Sequence, residues 1–177
     1  MVNTSIKLTA LAVGFAMSIT TGPALASGSH DDGHDGGGIG RAGNAGHVDR
    51  EIMIEMGEMY FSPSDIEIRK GETVRFMVKN VGEFVHEFNI ATEAMHLNHS
   101  EEMMMMIDMG ILETDRINRD MMADSEMAHS DPNSLLLEPN ESGEVIWTFD
   151  GDATLELSCN VPGHRESGMF GPIMMMQ

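Results

Sequence analysis

The chain has 177 residues, a formal net charge of −19 at pH 7 and a sequence pI near 4.5. That length suits one domain with a full core and is too short for two plus linkers. So acidic a surface repels nucleic acid and anionic lipid, which argues against both as partners, and it gathers cations. Composition adds an anomaly: 19 methionines and 8 histidines accompany a single cysteine.

In chain order, residues 1–26 follow the grammar of a secretory signal peptide. MVNTSIK carries one lysine, LTALAVGFAMSI is apolar, and TTGPALA ends in the small-x-small triplet Ala24-Leu25-Ala26. Cleavage is expected after Ala26. The apolar run is about a dozen residues, short of the roughly 20 that span a bilayer. No cysteine follows the cleavage point to carry a lipid, so a soluble, exported, periplasmic protein is expected, and a monomer. Residues 27–47, SGSHDDGHDGGGIGRAGNAGH, hold almost nothing apolar and read as a disordered tail. His30, His34 and His47 within it could catch a metal loosely or simply be solvated.

From Val48 to the end the texture is that of one β domain. EIMIEM, DIEIR, ETVRFMVKN, EFVHEFNI, EVIWTFD and ATLELSC alternate apolar and polar residues and are rich in Val, Ile, Phe and Thr. SPSD, RKGE, NVGE, EPNESGE and DGDA punctuate them as turns. With MFGPIMMMQ as a closing strand, Met174 to Met176 included, the count is seven or eight, that of an all-β Greek-key sandwich. Trp147 reads as core. The stretch 92–133 breaks the rhythm: it is rich in helix formers, and Met95, His99, Met103 and Met106 fall on one helical stripe. It reads as a helical insertion between two strands.

The closing segment CNVPGHRESGMFG holds the lone Cys159. One thiol cannot form a disulfide within its own chain, which leaves a buried thiol, an intermolecular bridge or a metal ligand. Its neighbours favour the last. Two imidazoles and a thiolate in trigonal array, with a long axial thioether, hold copper for one-electron chemistry. Cys159, His164 and Met169 offer three of these four from one loop. His86, the only histidine embedded in an expected sheet, offers the fourth. Zinc competes for Cys and His, but it rarely takes thioether and stands below Cu(II) in affinity order. Phe84, Val85, Pro162 and Phe170 flank the four and are expected to keep the site dry, while Asn160 could bond across to the His86 strand.

These motifs resemble the cupredoxins, the small blue copper proteins. CNVPGHRESGMFG is similar to their ligand loop, with a C-x4-H-x4-M spacing like that of rusticyanin, and HEFNI is similar to the strand carrying their first histidine. SPSDIEIRKGETVRFMVKN and LEPNESGEVIWTF resemble framework strands of the plastocyanin/azurin-like group. The insert, ending in MAHSDPN, resembles that of CopI-type cupredoxins linked to bacterial copper tolerance. The resemblance implies one type 1 copper on His86, Cys159, His164 and Met169.

Further methionines lie at 53, 56 and 59, at 121, 122 and 127, and densely through MHLNHSEEMMMMIDM. Methionine stripes are usually core. The alternative is that Met95, Met103, Met106 and Met109, assisted by His96 and His99, bind extra Cu(I), since thioethers are soft and carry no proton to lose. On that reading the insert could be replaced by a short turn with the type 1 site left whole. Three functions compete: copper tolerance by binding, buffering or oxidising copper; diffusible electron transfer; and oxidase chemistry. The last lacks the His-x-His pairs of oxygen-reducing copper sites, and one cysteine is too few for a dinuclear centre, so no enzyme is expected. Surplus soft donors favour tolerance. So do Arg165 and Glu166, which would make the surface at His164 more polar than a docking face. Copper ions are the expected partners, with a redox protein or a copper exporter as protein partner.

Overall fold

Runs that alternate apolar and polar residues become strands when one face can be buried, and here they build two sheets. A computed structural model of the chain describes residues 38–125 and 131–176. The expected signal peptide, His30 and His34, and Met127 lie outside the described residues. In chain order the elements are β1 (Arg41–Ala42), β2 (Arg50–Gly57), β3 (Tyr60–Ser62), β4 (Ile66–Arg69), β5 (Thr73–Asn80), β6 (His86–Ala91), α1 (Glu93–Asp108), α2 (Arg119–Ala123), β7 (Ser134–Leu137), β8 (Ser142–Thr148), β9 (Leu155–Ser158) and β10 (Phe170–Met176).

One sheet has the order β1-β8-β5-β2-β3 and the other β4-β10-β9-β6-β7, five strands each. The β2–β5 and β4–β10 pairs are parallel and the rest antiparallel. Ile54, Val74, Phe76, Val78, Val145 and Trp147 of the first sheet share one hydrophobic core with Ile68, Phe88, Ile90, Leu155, Leu157 and Ile173 of the second. Phe88 of β6 is central. Its ring lies 5.3 Å from that of Phe76 and 6.4 Å from that of Phe61. Trp147 is core, as read from the sequence, and its indole N–H donates to the Ile39 carbonyl at 3.0 Å.

The insertion lies between β6 and β7, and α1 forms its main part. The Thr92 hydroxyl caps it by accepting from the Met95 amide, with Glu93 in the first turn, where the helix dipole favours an acid. Every residue of β6 is buried. Phe88 and Ile90 enter the core, while Glu87 on the alternate face meets α1.

Three strands exceed the expected set: β1, β3 and β7, of two to four residues each. Elements so short carry too little alternation to read. Nor does the disordered tail expected over 27–47 extend to its end, because Arg41 and Ala42 pair with Thr148 and Trp147 on β8. Such edge pairing is made by backbone, so apolar composition does not report it. Among the described residues no helix is long and apolar enough to cross a membrane.

Phe88→Ala is expected to cost the fold about 3–5 kcal/mol by the cavity it leaves between the sheets, measurable by urea unfolding. A loss below about 1 kcal/mol would contradict its placement at the centre of the core.

Candidate metal centre

The segment between β9 and β10 folds back on itself through its own backbone. The His164 amide donates to Val161 O, Gly168 N to Arg165 O, Met169 N to His164 O, and Cys159 N to Met169 O, at 2.9–3.1 Å. Gly163 and Gly168 make the reversals with φ of 89° and 97°, a left-handed backbone that side chains resist. Cys159, His164 and Met169 are thereby drawn to one end of the sandwich, all three buried.

His86, at the start of β6, meets them there. Its Nδ1 lies 3.2 Å from His164 Nδ1 and 4.0 Å from Cys159 Sγ, and Sγ lies 3.3 Å from His164 Nδ1. Three atoms so spaced admit a point about 2 Å from each, the length of a metal–imidazole bond. Among the described residues, His86, Cys159 and His164 form the group of metal-binding type, all buried. The other nitrogen of His86 is buried without a hydrogen-bond partner, with Glu58 Oε1 at 3.6 Å. Glu58 is anchored in turn by the amides of Glu83 and Phe84. Soft sulfur beside two inward-facing imidazole nitrogens is a donor set that fits copper.

Electrostatics keep the three donors neutral. Burial pushes the Cys159 thiol up to about 12, and the charge of Glu87 adds to this against the amides of Glu87 and Val161. Burial, then the neighbouring His86, lowers His164 to about 4; burial lowers His86 too, against the pull of Glu58. The thiol must therefore give up its proton when a metal arrives, whereas the imidazoles have none to lose.

Behind the donors lies a residue that reading the sequence missed. Glu87 follows His86, and its amide donates to Cys159 Sγ at 3.3 Å. Its buried carboxylate accepts from Asn160 N at 3.1 Å and Nδ2 at 2.8 Å, from Ser134 Oγ at 2.8 Å, and from His99 Nε2 at 3.0 Å. Burial works against its charge, but the His99 bond and charge, with Ser134 and Asn89, hold it below the ordinary carboxyl value. Burial likewise opposes a charged His99, yet Glu87 and then Glu102 raise it to about 9. Asn160 does bond across to the His86 strand, through this carboxylate.

The flanking residues divide. Val85 is buried, Phe84 and Pro162 are half-buried, but Phe170 is 48% exposed and does not close the site. Arg165 turns away from His164: it bonds Glu156 at 2.6 Å and Ser158 at 2.9 Å and stacks on the Phe170 ring at 4.8 Å. The surface beside His164 is instead a groove of Phe84, Ile107, Leu112, Val161 and Pro162, with Glu113 and Asp115 at its rim. Arg165 therefore adds little to the polar patch expected there, since the half-buried Glu156 carboxylate holds its guanidinium, whereas Glu166 is exposed and accepts from the Gly163 amide at 3.1 Å.

The six residues grouped as a copper collector also divide. Of the stripe on α1, the Met103–Met106 end faces the sandwich. Met103 and Met106 belong to the core, His96 is buried against Asn160 and Glu156, and His99 is held by two carboxylates. Met95 and Met109 are exposed.

Comparison with known proteins accords with this geometry. The profile of copper binding proteins, plastocyanin/azurin family, matches residues 48–176. The chain belongs to that family, and copper is its cofactor. Within it, the chain is 40% identical over 146 residues to the copper-resistant cuproprotein CopI of Pseudomonas aeruginosa, covering 76% of this chain and 81% of that protein. It is 33% identical over 168 residues to the CopI of Rubrivivax gelatinosus, covering 90% and 91%. In fold it is similar to auracyanin B (TM-score 0.55, 16% identity, 80% of this chain and 97% of the other). It is also similar to the dithionite-reduced auracyanin of Roseiflexus castenholzii (TM-score 0.53, 18% identity, 73% and 99%).

The opposed shifts set a pH optimum for the metal-free protein. His164, lowered to about 4, makes stability fall as pH drops below its ordinary 6.5. His99, raised to about 9, stabilises fully below 6.5 and loses that contribution as pH rises through 9. Melting temperature is expected to peak near the shared ordinary value of 6.5, and His99→Gln should flatten the alkaline limb. A melting temperature that climbs steadily from pH 6.5 to 9 would contradict these assignments.

Proposed function

We propose that this chain is an exported copper-tolerance cupredoxin in which His86 Nδ1, Cys159 Sγ and His164 Nδ1 would hold one copper, with the buried Met169 thioether as a further, weak donor. The observation that carries it is the convergence of three buried, uncharged donors on one point, in a chain whose relatives are copper-resistance cuproproteins. Copper held by these residues would supply one-electron chemistry between Cu(I) and Cu(II). The chain's own residues supply the rest. Cys159 surrenders its proton, His86 and His164 are presented already neutral, and Val85 with half-buried Phe84 and Pro162 limits water. Tolerance is the role of a binder and buffer rather than of an enzyme.

Extra Cu(I) on the insert is a finer part of the reading. It now rests on thioethers alone, the exposed Met95 and Met109 and the Met103–Met106 pair that lines a cavity of about 240 Å³ with His99 and Met122.

A second reading, diffusible electron transfer, gains support from the groove beside His164, which mixes apolar side chains with Glu113 and Asp115 and on which a redox partner could dock. Physiology separates the two. A strain lacking the gene should grow normally at low copper and fail as copper rises; a respiratory defect at ordinary copper with unchanged tolerance would favour the electron carrier. In the purified protein, Cys159→Ser should abolish the sulfur-to-copper charge-transfer band while the fold persists. Met169→Leu should retain copper and raise the reduction potential, since a weak donor is replaced by hydrocarbon. A coloured Cys159→Ser protein would contradict the thiolate assignment.

A further inference from the structure

Two histidines of α1, the buried His96 and the half-buried His99, stand three positions apart on one helix face, and each reaches the residue that follows a proposed copper ligand. His99 Nε2 donates to the carboxylate of Glu87, the neighbour of His86, at 3.0 Å. His96 Nδ1 accepts from the amide Nδ2 of Asn160, the neighbour of Cys159, at 3.2 Å, and its Nε2–H donates to Glu156 O at 3.3 Å. Both nitrogens of each ring are thus occupied by protein, His99 Nδ1 by Glu102 at 2.8 Å. Neither ring has a lone pair to spare for a metal.

Between the two histidines the loop closes. Glu87 holds Asn160 through its backbone amide and its side chain, and the Glu87 amide itself donates to Cys159 Sγ. We propose that α1 is a structural part of the copper centre, with His99 and His96 as positioning residues that lock Glu87 and Asn160 and so fix the hydrogen bond and the charge at the Cys159 sulfur. This rests on the copper reading above. It reverses the expectation that the insert can be removed without cost to the site.

The physical reason is twofold. An amide N–H aimed at a ligating sulfur withdraws electron density from it, and hydrogen bonding at that sulfur tunes the potential of such centres. A buried carboxylate one residue from a ligand would, by itself, add negative charge beside the metal; His99 balances it from the helix. Without His99 the carboxylate loses its counter-charge, and with it the rigid grip on the loop that follows Cys159.

The test uses the copper-loaded full chain. In His99→Gln the charge-transfer band should shift and the reduction potential fall, while bound copper per molecule stays that of the parent. His96→Gln, which keeps an amide partner for Asn160, should move the band less. If His99→Gln folds poorly, Glu87→Gln removes the charge but keeps an acceptor for Asn160, and its potential should rise. A folded His99→Gln protein with the parent band and potential would overturn the proposal. So would loss of copper ions from His96→Gln and His99→Gln with the band unmoved, which would make the histidines collectors. Cys159→Ser, run in parallel, keeps the two readings apart: a band that survives it sinks the copper-thiolate assignment, whereas a band lost there but indifferent to His99 sinks only the role of the helix.

Discussion

The charge of Glu87 is the constraint around which this end of the molecule is organised. A carboxylate that is 2% exposed must be paired and fully hydrogen-bonded, because an unpaired buried charge costs several kcal/mol. Its partners come from four places in the chain: His99 on α1, Ser134 on β7, Asn89 on β6 and Asn160 after β9. Satisfying one carboxylate therefore pins the inserted helix, two strands of one sheet and the segment carrying Cys159 to a common point. The same residue carries the amide that points at the cysteine sulfur. Support and site share a single amino acid.

Around this point the protein holds one charged pair and three neutral donors. The pair, buried Glu87 and half-buried His99, lies on the helix side of β6, and the donors gather at the end of the sandwich. Neutrality suits the donors, because a protonated imidazole beside a second imidazole would repel both its neighbour and an incoming cation. The strongly negative surface draws cations toward the molecule without placing a carboxylate among the donors. Glu58 stands just behind His86, on the nitrogen that faces away from the thiol, where a carboxylate favours presentation of the opposite nitrogen.

Much of this was legible in the sequence. Long alternating runs such as ETVRFMVKN mark strands, because a half-buried strand must alternate. C-x4-H-x4-M carries chemistry in its spacing: its cysteine and histidine meet His86 of β6, while Met169 is buried and tied to both by its backbone. What stayed hidden depended on tertiary covering. Alternation along HEFNI sets Glu87 on the face opposite Phe88, where water is the default; only the helix laid over β6 makes it a buried charge. His96 and His99 read as soft-metal collectors because composition cannot tell a histidine facing solvent from one facing a carboxylate. Arg165 misled for the same reason, since Glu156 lies nine residues away in sequence and 2.6 Å away in space. The short strands β1 and β3 escaped because backbone pairing at a sheet edge leaves no signature in side chains.

The central claim is that two imidazole nitrogens and one thiolate hold copper at the convergence of His86, His164 and Cys159. X-ray absorption at the copper edge of the loaded, full-length protein measures those bonds directly. The account requires one short sulfur scatterer and two nitrogen scatterers at about 2 Å, with the sulfur lost in Cys159→Ser. A first shell made only of nitrogen and oxygen, or one of several thioether sulfurs without the short thiolate, would contradict it.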